Sequence, residues 1–178
     1  MIGGRCWMTR NLAYGTTLDP PTTPQTDNCI IEKYCLASDP ACSAYGALYQ
    51  WDELMRYGST SAHQGICPPE WHVPSEAEWQ ILINNISTGA PTPADALAAG
   101  FLKDPLLSPG FFALLEGIYY INNTWSFTTG NLTGTMYWTS GLNTQNQSLA
   151  RGVNIYNPSV SRYWSSRGNA FSVRCMKD

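Results

Sequence analysis

A long segment without carboxylates or lysine constrains this chain most. No Asp, Glu or Lys occurs from Gly117 to Met176, and Asn, Ser, Thr, Tyr and Gly fill the segment instead. Charged residues make up 13% of the 178 residues, against about 25% in an average soluble protein. This composition argues against nucleic-acid binding, a coiled coil and charged disorder. No apolar run reaches the roughly 18 residues of a membrane span, so we expect no membrane insertion.

The charges are divided unevenly between the two parts of the chain. Residues 1–116 carry twelve acidic and five basic residues, a net charge of −7. Residues 117–178 carry one acidic and five basic residues, a net charge of +4. The basic character of the second part comes mainly from four arginines, Arg151, Arg162, Arg167 and Arg174.

Six cysteines favour an oxidising location. An even number of cysteines in a Trp-rich, charge-poor chain is typical of disulfide-bonded proteins outside the cell, on a cell surface or on a virion. Cys29, Cys35 and Cys42 lack the close pairs of zinc sites, so we favour disulfides over zinc. No secretory leader is visible, so we expect a trimmed N-terminus, a piece of a longer chain or assembly into a particle inside the cell.

Helix signals are concentrated in the first half of the chain. One helix is predicted after Cys42 from apolar residues near helical spacing, and it should end at Gly58. A second begins at a capping box of Ser75 and Glu78, and it carries an apolar stripe of Trp79, Leu82, Ile83 and Ile86. A shorter helix is expected between residues 92 and 100.

After Gly110 the sequence pattern changes to short strands. We predict strands over residues 111–120, 125–128, 135–140, 150–156 and 170–176, with turns at 122–123 and 129–131. Helices followed by antiparallel strands indicate an α+β fold. No domain boundary is visible, so residues 1–178 are predicted to form one domain.

Catalytic and metal-binding signals are weak. A nucleophilic pair of Cys67 and His72 is conceivable, but His72 lies just before a capped helix and is better interpreted as a structural histidine. The paired acids at 52–53 and at 76 and 78 fit helix starts or faces. Phosphate loops and dinucleotide fingerprints are absent from the sequence. We therefore expect no enzyme activity and no cofactor.

Calcium is the one metal with candidate ligands near the cysteines. Asp27, Glu32 and Asp39 could supply oxygen ligands, but their spacing is not that of an EF-hand. Exposed loop acids are the favoured interpretation, and we expect no metal site.

The segment from Leu142 to Asn169 is the best binding candidate. It combines Asn, Tyr, Trp and Arg with many Ser and Gly residues. Antibody binding loops use the same residue types, because aromatic rings supply rigid contact area and small polar residues supply adaptable hydrogen bonds. An ordinary polar β-sheet surface with turns explains the composition equally well.

Several short motifs occur in a characteristic order along the chain. They are Ile2-Gly3-Gly4, Trp7-Met8, Asn11-Leu12, Tyr45-Gly46, Leu48-Tyr49, Trp51, Cys67-Pro68, Trp71-His72-Val73-Pro74-Ser75, Glu78-Trp79, Tyr137-Trp138-Thr139-Ser140 and residues 171–178. Together they resemble the Fibrobacter succinogenes major paralogous domain family over essentially the whole chain. The resemblance implies a C-type lectin-like fold, in the branch shared with formylglycine-generating enzymes, with two main helices, antiparallel strands and many loops.

Within that branch the chain looks most like the variable proteins of diversity-generating retroelements. In those proteins a reverse transcriptase rewrites template adenines in a C-terminal cassette, here residues 138–175. Asn codons then change to many residues, but never to Gln, Glu, Lys, Met or Trp. The resemblance thus accounts for the lack of Glu and Lys, and it implies that Gln145, Gln147 and Trp164 are fixed.

The resemblance implies a ligand-binding protein for adhesion or receptor recognition, with an unknown protein or glycan as partner. Its expected variable contacts are Leu142, Asn143, Asn146, Gly152, Asn154, Tyr156, Tyr163, Ser165, Arg167 and Asn169, with Trp164 as an anchor. The alternatives are a non-diversifying extracellular module that binds carbohydrate or protein and, far behind it, an enzyme of the formylglycine-generating type. The sugar-binding motifs of animal lectins are absent, so the fold alone does not imply sugar binding.

The resemblance also suggests how the chain is held together. It pairs Cys67 with Cys175 and Cys35 with Cys42, and Cys6 with Cys29 is the pair that remains. Five tryptophans are expected in the core of the base, namely Trp7, Trp51, Trp71, Trp79 and Trp138.

Overall fold

The computed structural model describes residues 1–19, 23–36, 38–58, 64–86, 111, 113, 119–122, 124–127, 134–154 and 156–178. This part of the chain forms two helices and eleven strands, an α+β architecture with mostly antiparallel pairing. The helices are α1 (Trp51–Leu54) and α2 (Glu76–Ile86). The strands are β1 (Thr16–Thr17), β2 (Glu32–Lys33), β3 (Leu48–Gln50), β4 (Trp71–His72), β5 (Tyr119–Asn122), β6 (Thr124–Phe127), β7 (Gly134–Leu142), β8 (Ser148–Asn154), β9 (Asn157–Ser165), β10 (Ala170–Ser172) and β11 (Met176–Lys177).

Seven strands form the main sheet, in the order β6-β5-β10-β7-β8-β9, with β3 also paired to β10. Strands β7, β8 and β9 make a continuous antiparallel meander. Strand β10 then returns to the middle of the sheet, where it runs parallel to β7 and antiparallel to β3. The sheet therefore includes a pairing between β3 and β10, which lie more than 100 residues apart in sequence.

The core lies on both faces of this sheet, because successive residues of a strand point to opposite faces. Met136 and Trp138 of β7 pack with α1 and with the Cys67–Cys175 bridge. Tyr137, between them in sequence, packs on the other side with Trp79 of α2 and with Val153 of β8. A sheet buried on both faces needs few charges, which agrees with the composition of residues 117–176.

Helix α2 confirms the capping-box prediction. The Ser75 amide donates to Glu78 Oε2 at 2.8 Å, and Ser75 Oγ accepts from the Glu78 amide at 3.4 Å. The four residues of the predicted apolar stripe, Trp79, Leu82, Ile83 and Ile86, are all buried. The local sequence pattern therefore predicts the packing of α2 correctly, because its capped helix places the apolar stripe against one face of the sheet.

The helix predicted after Cys42 is largely wrong. Leu48–Gln50 is a buried strand that pairs with β10, and helix α1 covers only the four residues from Trp51 to Leu54. Leu48 and Tyr49 lie opposite residues 172 and 171 of β10 in the sheet register. This long-range pairing overrides the local apolar spacing, which alone resembles one face of a helix.

The strands predicted at 125–128, 135–140 and 150–156 are confirmed with shifted bounds. Phe111 and Ala113, predicted in a strand, lie outside any strand, and residues 170–176 contain the strand β10 and the start of β11 with a break between them. One further strand is missing from the predictions. Strand β9 covers nine residues, Asn157–Ser165, in a segment interpreted from composition as part of a binding surface. Its Asn, Ser and Arg residues carry little strand propensity, so its pairing to β8 is what makes it a strand. The helix expected at 92–100 and the turn at 129–131 lie outside the described residues, as does Asn123 of the other turn.

Two disulfides are present among the described residues, Cys35–Cys42 and Cys67–Cys175. They indicate an oxidising environment. The pairing of Cys6 with Cys29 is wrong, because both are free thiols. The Cys6 carbonyl accepts from the Lys177 amide beside β11, whereas Cys29 lies on the exposed turn before β2. The segments that carry these two cysteines are thus held in different parts of the fold.

Four of the five tryptophans lie in the core as predicted. Trp7, Trp51, Trp79 and Trp138 are buried, and Trp71 is half-buried at the edge of the first cluster. Trp51 Nε1 donates to the Thr139 carbonyl and Trp138 Nε1 donates to the Tyr49 carbonyl, so each ring ties distant segments together. Among the described helices, none has the length and apolar character needed to cross a bilayer.

Candidate binding site

One end of the meander is built by the turn between β7 and β8. Asn143 organises this turn: its Oδ1 accepts from the amides of Gln145 and Gln147 at 3.0 and 2.9 Å, and its Nδ2 donates to Gln147 Oε1. Asn146 has a φ of 59°, a left-handed conformation that Asn adopts more readily than most residues. Asn143 is thus half-buried within the turn, and Asn146 is left exposed at its tip.

Arg167 connects this turn to helix α1. Its guanidinium forms an ion pair with Asp52, donates to Asn146 Oδ1 at 2.5 Å and lies 4.9 Å from the centre of the Trp51 ring. The Trp51 amide in turn donates to the Arg167 carbonyl at 3.1 Å. Burial lowers the pKa of Arg167 from its ordinary value, but a guanidinium remains a cation throughout the usual pH range.

An open cleft of about 460 Å³ lies between these groups. Its lining residues are Asp52, Gln145, Asn146, Gln147, Ser166, Arg167 and Gly168. The charges of Asp52 and Arg167 cancel, and the amides supply both donors and acceptors. The sequence predicts Asn146 and Arg167 at a site but not Asp52, because an acid more than 100 residues away gives no local sign of this contact.

The outer strand of the meander presents two exposed aromatic rings. Tyr163 and Trp164 of β9 are 51% and 42% exposed, and they point to opposite faces of the sheet. Arg162 lies 5.5 Å from the Trp164 ring centre and forms an ion pair of 3.0 Å with Glu76 of α2. The buried Arg151 of β8 also binds Glu76, at 2.5 Å, so one carboxylate joins both strands to α2.

Gly152 decides where the Tyr163 ring lies. A Cβ built on Gly152 would come within 3.1 Å of Tyr163 Cε2 and 3.5 Å of Met136 Sδ. The Tyr163 ring therefore lies across the neighbouring strand, in space that a larger residue at 152 would occupy. The sequence prediction of Gly152 as a variable contact is corrected: the position is buried and supports Tyr163.

Two further candidates, Ser165 and Asn169, are also corrected from contacts to supports. Ser165 and Asn169 are buried, and the Asn169 side chain donates to Ser165 Oγ at 2.8 Å across the turn that leads into β10. Leu142 is half-buried and packs against the first core cluster. Polar and small residues look like surface residues in the sequence, but hydrogen bonding inside a turn allows them to be buried.

Asn154 and Tyr156 lie at the opposite end of β8 from the cleft. Asn154 Oδ1 accepts from the Tyr156 amide at 2.7 Å, and Tyr156 is 80% exposed. Ser148 and Asn154, at the two ends of β8, are about 20 Å apart along the strand. The predicted contacts therefore fall into three places: the cleft, the outer strand and this far turn.

His72 lies outside these surfaces and is a structural residue, as predicted. Its ring is buried, with Nδ1 2.5 Å from Asp178 Oδ1 and Nε2 3.2 Å from Glu78. Burial by itself would raise the pKa of Glu78, but hydrogen bonds from Ser75 and His72 outweigh it and lower the pKa. Cys67 cannot act as a nucleophile beside His72, since it is bonded to Cys175.

Two of the three acids considered as calcium ligands, Glu32 and Asp39, are buried and hydrogen-bonded within the chain, so the expectation of exposed loop acids is wrong for them. Asp39 accepts from the backbone of Ser43, Ala44 and Tyr45, and these bonds lower its pKa although burial acts to raise it. Glu32 accepts from the Thr26 amide at 2.9 Å. Glu53, in the first turn of α1, is buried, and burial raises its pKa. The described residues contain no group of three or more His, Cys, Asp or Glu arranged to hold a metal ion.

Comparison with known proteins places the chain in a family. Among curated proteins and among solved structures, nothing matches it significantly. A family model, that of the Fibrobacter succinogenes major domain, matches residues 1–177. The match covers all the motifs except the last residue, Asp178, so the chain belongs to the Fibrobacter succinogenes major domain family.

Proposed function

We propose that this protein is a ligand-binding domain of C-type lectin-like fold that serves adhesion or receptor recognition at a cell surface or on a virion. One observation carries the proposal. Tyr156, Tyr163 and Trp164 are all exposed, and Tyr163 and Trp164 lie on β9, which pairs with the largely buried strand β8. Exposed aromatic rings on a rigid frame supply contact area at a low cost in conformational entropy.

The way the chain ends meet supports the proposed fold. Strand β11 pairs with β4, Trp7 forms a bridge with Met176, and Cys175 is bonded to Cys67. The N-terminal base and the last strand are thus held together beneath the meander. Such a base leaves the exposed side chains of the β7–β8 turn and of strand β9 free to change without loss of the fold.

We further propose that a diversity-generating retroelement varies residues within 138–175. Exposure divides this segment into two classes. Tyr156 and Tyr163 are exposed and can change at little cost in stability. Asn146 is exposed too, although its φ of 59° favours Asn and Gly at that position. Gly152, Ser165 and Asn169 are buried, and substitution there removes packing or hydrogen bonds. Variation is therefore expected to be concentrated at the exposed class.

Two matched display libraries test this division. The first randomises Asn146, Tyr156 and Tyr163, and the second randomises Gly152, Ser165 and Asn169. Surface display with a conformation-sensitive label reports folding, and we expect most members of the first library and few of the second to fold. Equal tolerance in the two libraries would contradict the proposal.

Sequencing of many isolates over codons 138–175 tests diversification itself. Substitutions confined to adenine-containing codons, with a nearby template repeat and a reverse transcriptase gene, are the expected result. If both are absent, the alternative of a non-diversifying module stands instead. Gln145 and Gln147 line the cleft beside Arg167 and are not products of an Asn codon, so both interpretations expect these two residues to be constant.

We propose a binding role rather than a catalytic one. An enzyme of the formylglycine-generating type needs a reactive pair of cysteines, whereas the two free thiols described, Cys6 and Cys29, lie in different parts of the fold. Incubation with thiol-containing peptides tests this, and conversion of a peptide cysteine to an aldehyde would contradict it.

A further inference from the structure

Strand β9 is the outermost strand at one side of the main sheet. In the part of the chain that the structure describes, β9 pairs with β8 alone. Ser161 to Ser165 are in continuous register with β8, from Gly152 back to Ser148. Alternate residues of such an edge strand direct their N–H and C=O groups away from the sheet, where they can pair with another extended chain.

Natural edge strands are usually protected against such pairing, and in β9 the proline and the register shift lie at one end only. Proline, lysine and bulges are the common protective devices. Pro158 and the register shift near Asn154 lie at the beginning of β9. Residues 161–165 contain no Pro or Lys, and Arg162, Tyr163 and Trp164 are all exposed.

The exposed side chains flank this edge without blocking it. Tyr163 lies back across Gly152 on one face, and Trp164 stacks with Arg162 beside it. The side chains of an added strand would therefore lie next to the Tyr163 ring on one face of the sheet and next to the Trp164 ring on the other. Aromatic cross-strand neighbours of this kind stabilise strand pairs.

The net positive charge beside this edge favours an acidic partner strand. Arg151 and Arg162 share one carboxylate, Glu76, so this group of three side chains carries one net positive charge. A second copy of β9 would bring another Arg162 to the same edge, which disfavours pairing between two copies. A strand with an acidic side chain would instead neutralise the excess charge.

We propose that the Ser161–Ser165 edge of β9 binds an extended, acidic peptide segment of a partner protein by strand addition. Main-chain hydrogen bonds supply most of the affinity in this mode, and side chains at alternate positions supply specificity. The inference rests on the proposed binding function and narrows its ligand from protein or glycan to polypeptide. It also explains how such a site could keep its affinity while neighbouring side chains vary, since backbone groups do not change with sequence.

The test begins with a display library of random peptides about ten residues long, a length that covers a typical strand. A glycan array is probed in parallel with the same protein. We expect peptides with an acidic residue to be enriched. If only glycans bind, or if no peptide is enriched, the strand-addition inference is overturned while the proposed binding function is judged separately by the isolates and the glycan array.

Two N-methylated forms of one selected peptide test the backbone mode directly. One form carries N-methyl groups on the odd residues and the other on the even residues. We expect one form to lose about tenfold or more in affinity and the other to change little, because only one set of amides faces β9. Equal effects of the two forms would contradict strand addition.

An arginine variant and its control test the charge argument. Arg162→Gln should weaken binding of the acidic peptide several-fold, whereas Arg56→Gln, an exposed arginine next to α1, should leave it unchanged. Amide hydrogen exchange should show new protection at alternate residues of 161–165 when the peptide binds. Protection confined to the cleft residues 145–147 would place the peptide elsewhere and overturn the inference.

Discussion

At the scale of single residues, the same residue types serve opposite purposes in the C-terminal strands. Asn146 is exposed at the tip of a turn, whereas Asn169 is buried and donates to Ser165. Among the aromatic residues, Tyr137 is fully buried and Tyr163 is half-exposed. Composition cannot distinguish the exposed from the buried residues of one type, because the difference lies in which groups each side chain contacts after folding.

Gly152 offers a prediction at this scale. Gly152→Leu should destabilise the fold by about 2 kcal/mol, since the new side chain must displace the Tyr163 ring and contact Met136. Tyr163→Ala in the same chain should recover part of that loss, because it vacates the space. Urea unfolding of both single variants and the double variant measures the coupling. Strictly additive effects would show that the ring does not depend on Gly152.

The two thiols give a second prediction. Under native, non-reducing conditions Cys29 should react quickly with an alkylating reagent and Cys6 more slowly, since Cys29 is exposed and Cys6 is half-buried. Peptide mapping should recover Cys35 with Cys42 and Cys67 with Cys175. A recovered peptide that joins Cys6 to Cys29 would contradict the structure.

At the scale of elements, helix α2 and strand β9 show how much local sequence can decide. Helix α2 begins at a capping box and has a continuous apolar stripe, so its position follows from about a dozen neighbouring residues. Strand β9 has no comparable signal and forms through its register with β8. Leu48–Gln50 is intermediate: its residues are apolar enough for a helix, but pairing with β10 makes them a strand.

The capping box predicts a pH dependence of stability. Glu78→Gln should destabilise the protein by about 1 kcal/mol at pH 7, because charge-assisted hydrogen bonds to Ser75 and His72 are replaced by neutral ones. The folded-state pKa of Glu78 lies below its ordinary value of 4.5, so its contribution is complete above that value and is lost as the pH falls through the folded pKa.

The difference between wild type and Glu78→Gln should therefore shrink as the pH is lowered from about 7 to about 3 in denaturant titrations. The other groups that face this carboxylate and its histidine are Asp178 and Ser75. Glu70→Gln is the matched control, since its bond to Lys177 is exposed and contributes little. A difference that stays constant over the whole pH range would argue against the cap.

At the scale of the whole molecule, the chain is held together by contacts between its ends. The bridge from Cys67 to Cys175 spans 108 residues, and the Arg174 side chain binds Asn11 across 163 residues. Both connections join the first half of the chain to the segment that follows β10 of the main sheet. They leave its outer strand and one turn as the parts where side chains can change most freely.

The two disulfides should differ in how much they stabilise the folded protein. Replacing Cys67 and Cys175 together by Ala should lower the free energy of unfolding by about 5 kcal/mol. Replacing Cys35 and Cys42 should lower it by about 2.5 kcal/mol, because the chain-entropy effect grows with the size of the closed loop. Guanidinium unfolding measures both losses. Cys29→Ala serves as the control and should change stability little. A larger loss from the shorter bridge would contradict this ranking.

The sequence by itself determined the α+β class, the capped helix α2, the tryptophan-rich core and, through its motifs, the family. Each of these depends on neighbouring residues or on a fixed order of motifs. Only the tertiary structure decided that Leu48–Gln50 and β9 are strands, that Asp52 meets Arg167, and that Gly152, Ser165 and Asn169 are supports rather than contacts. The physical reason is that strand pairing and side-chain burial depend on residues far apart in the chain, whose free energy outweighs weak local preferences.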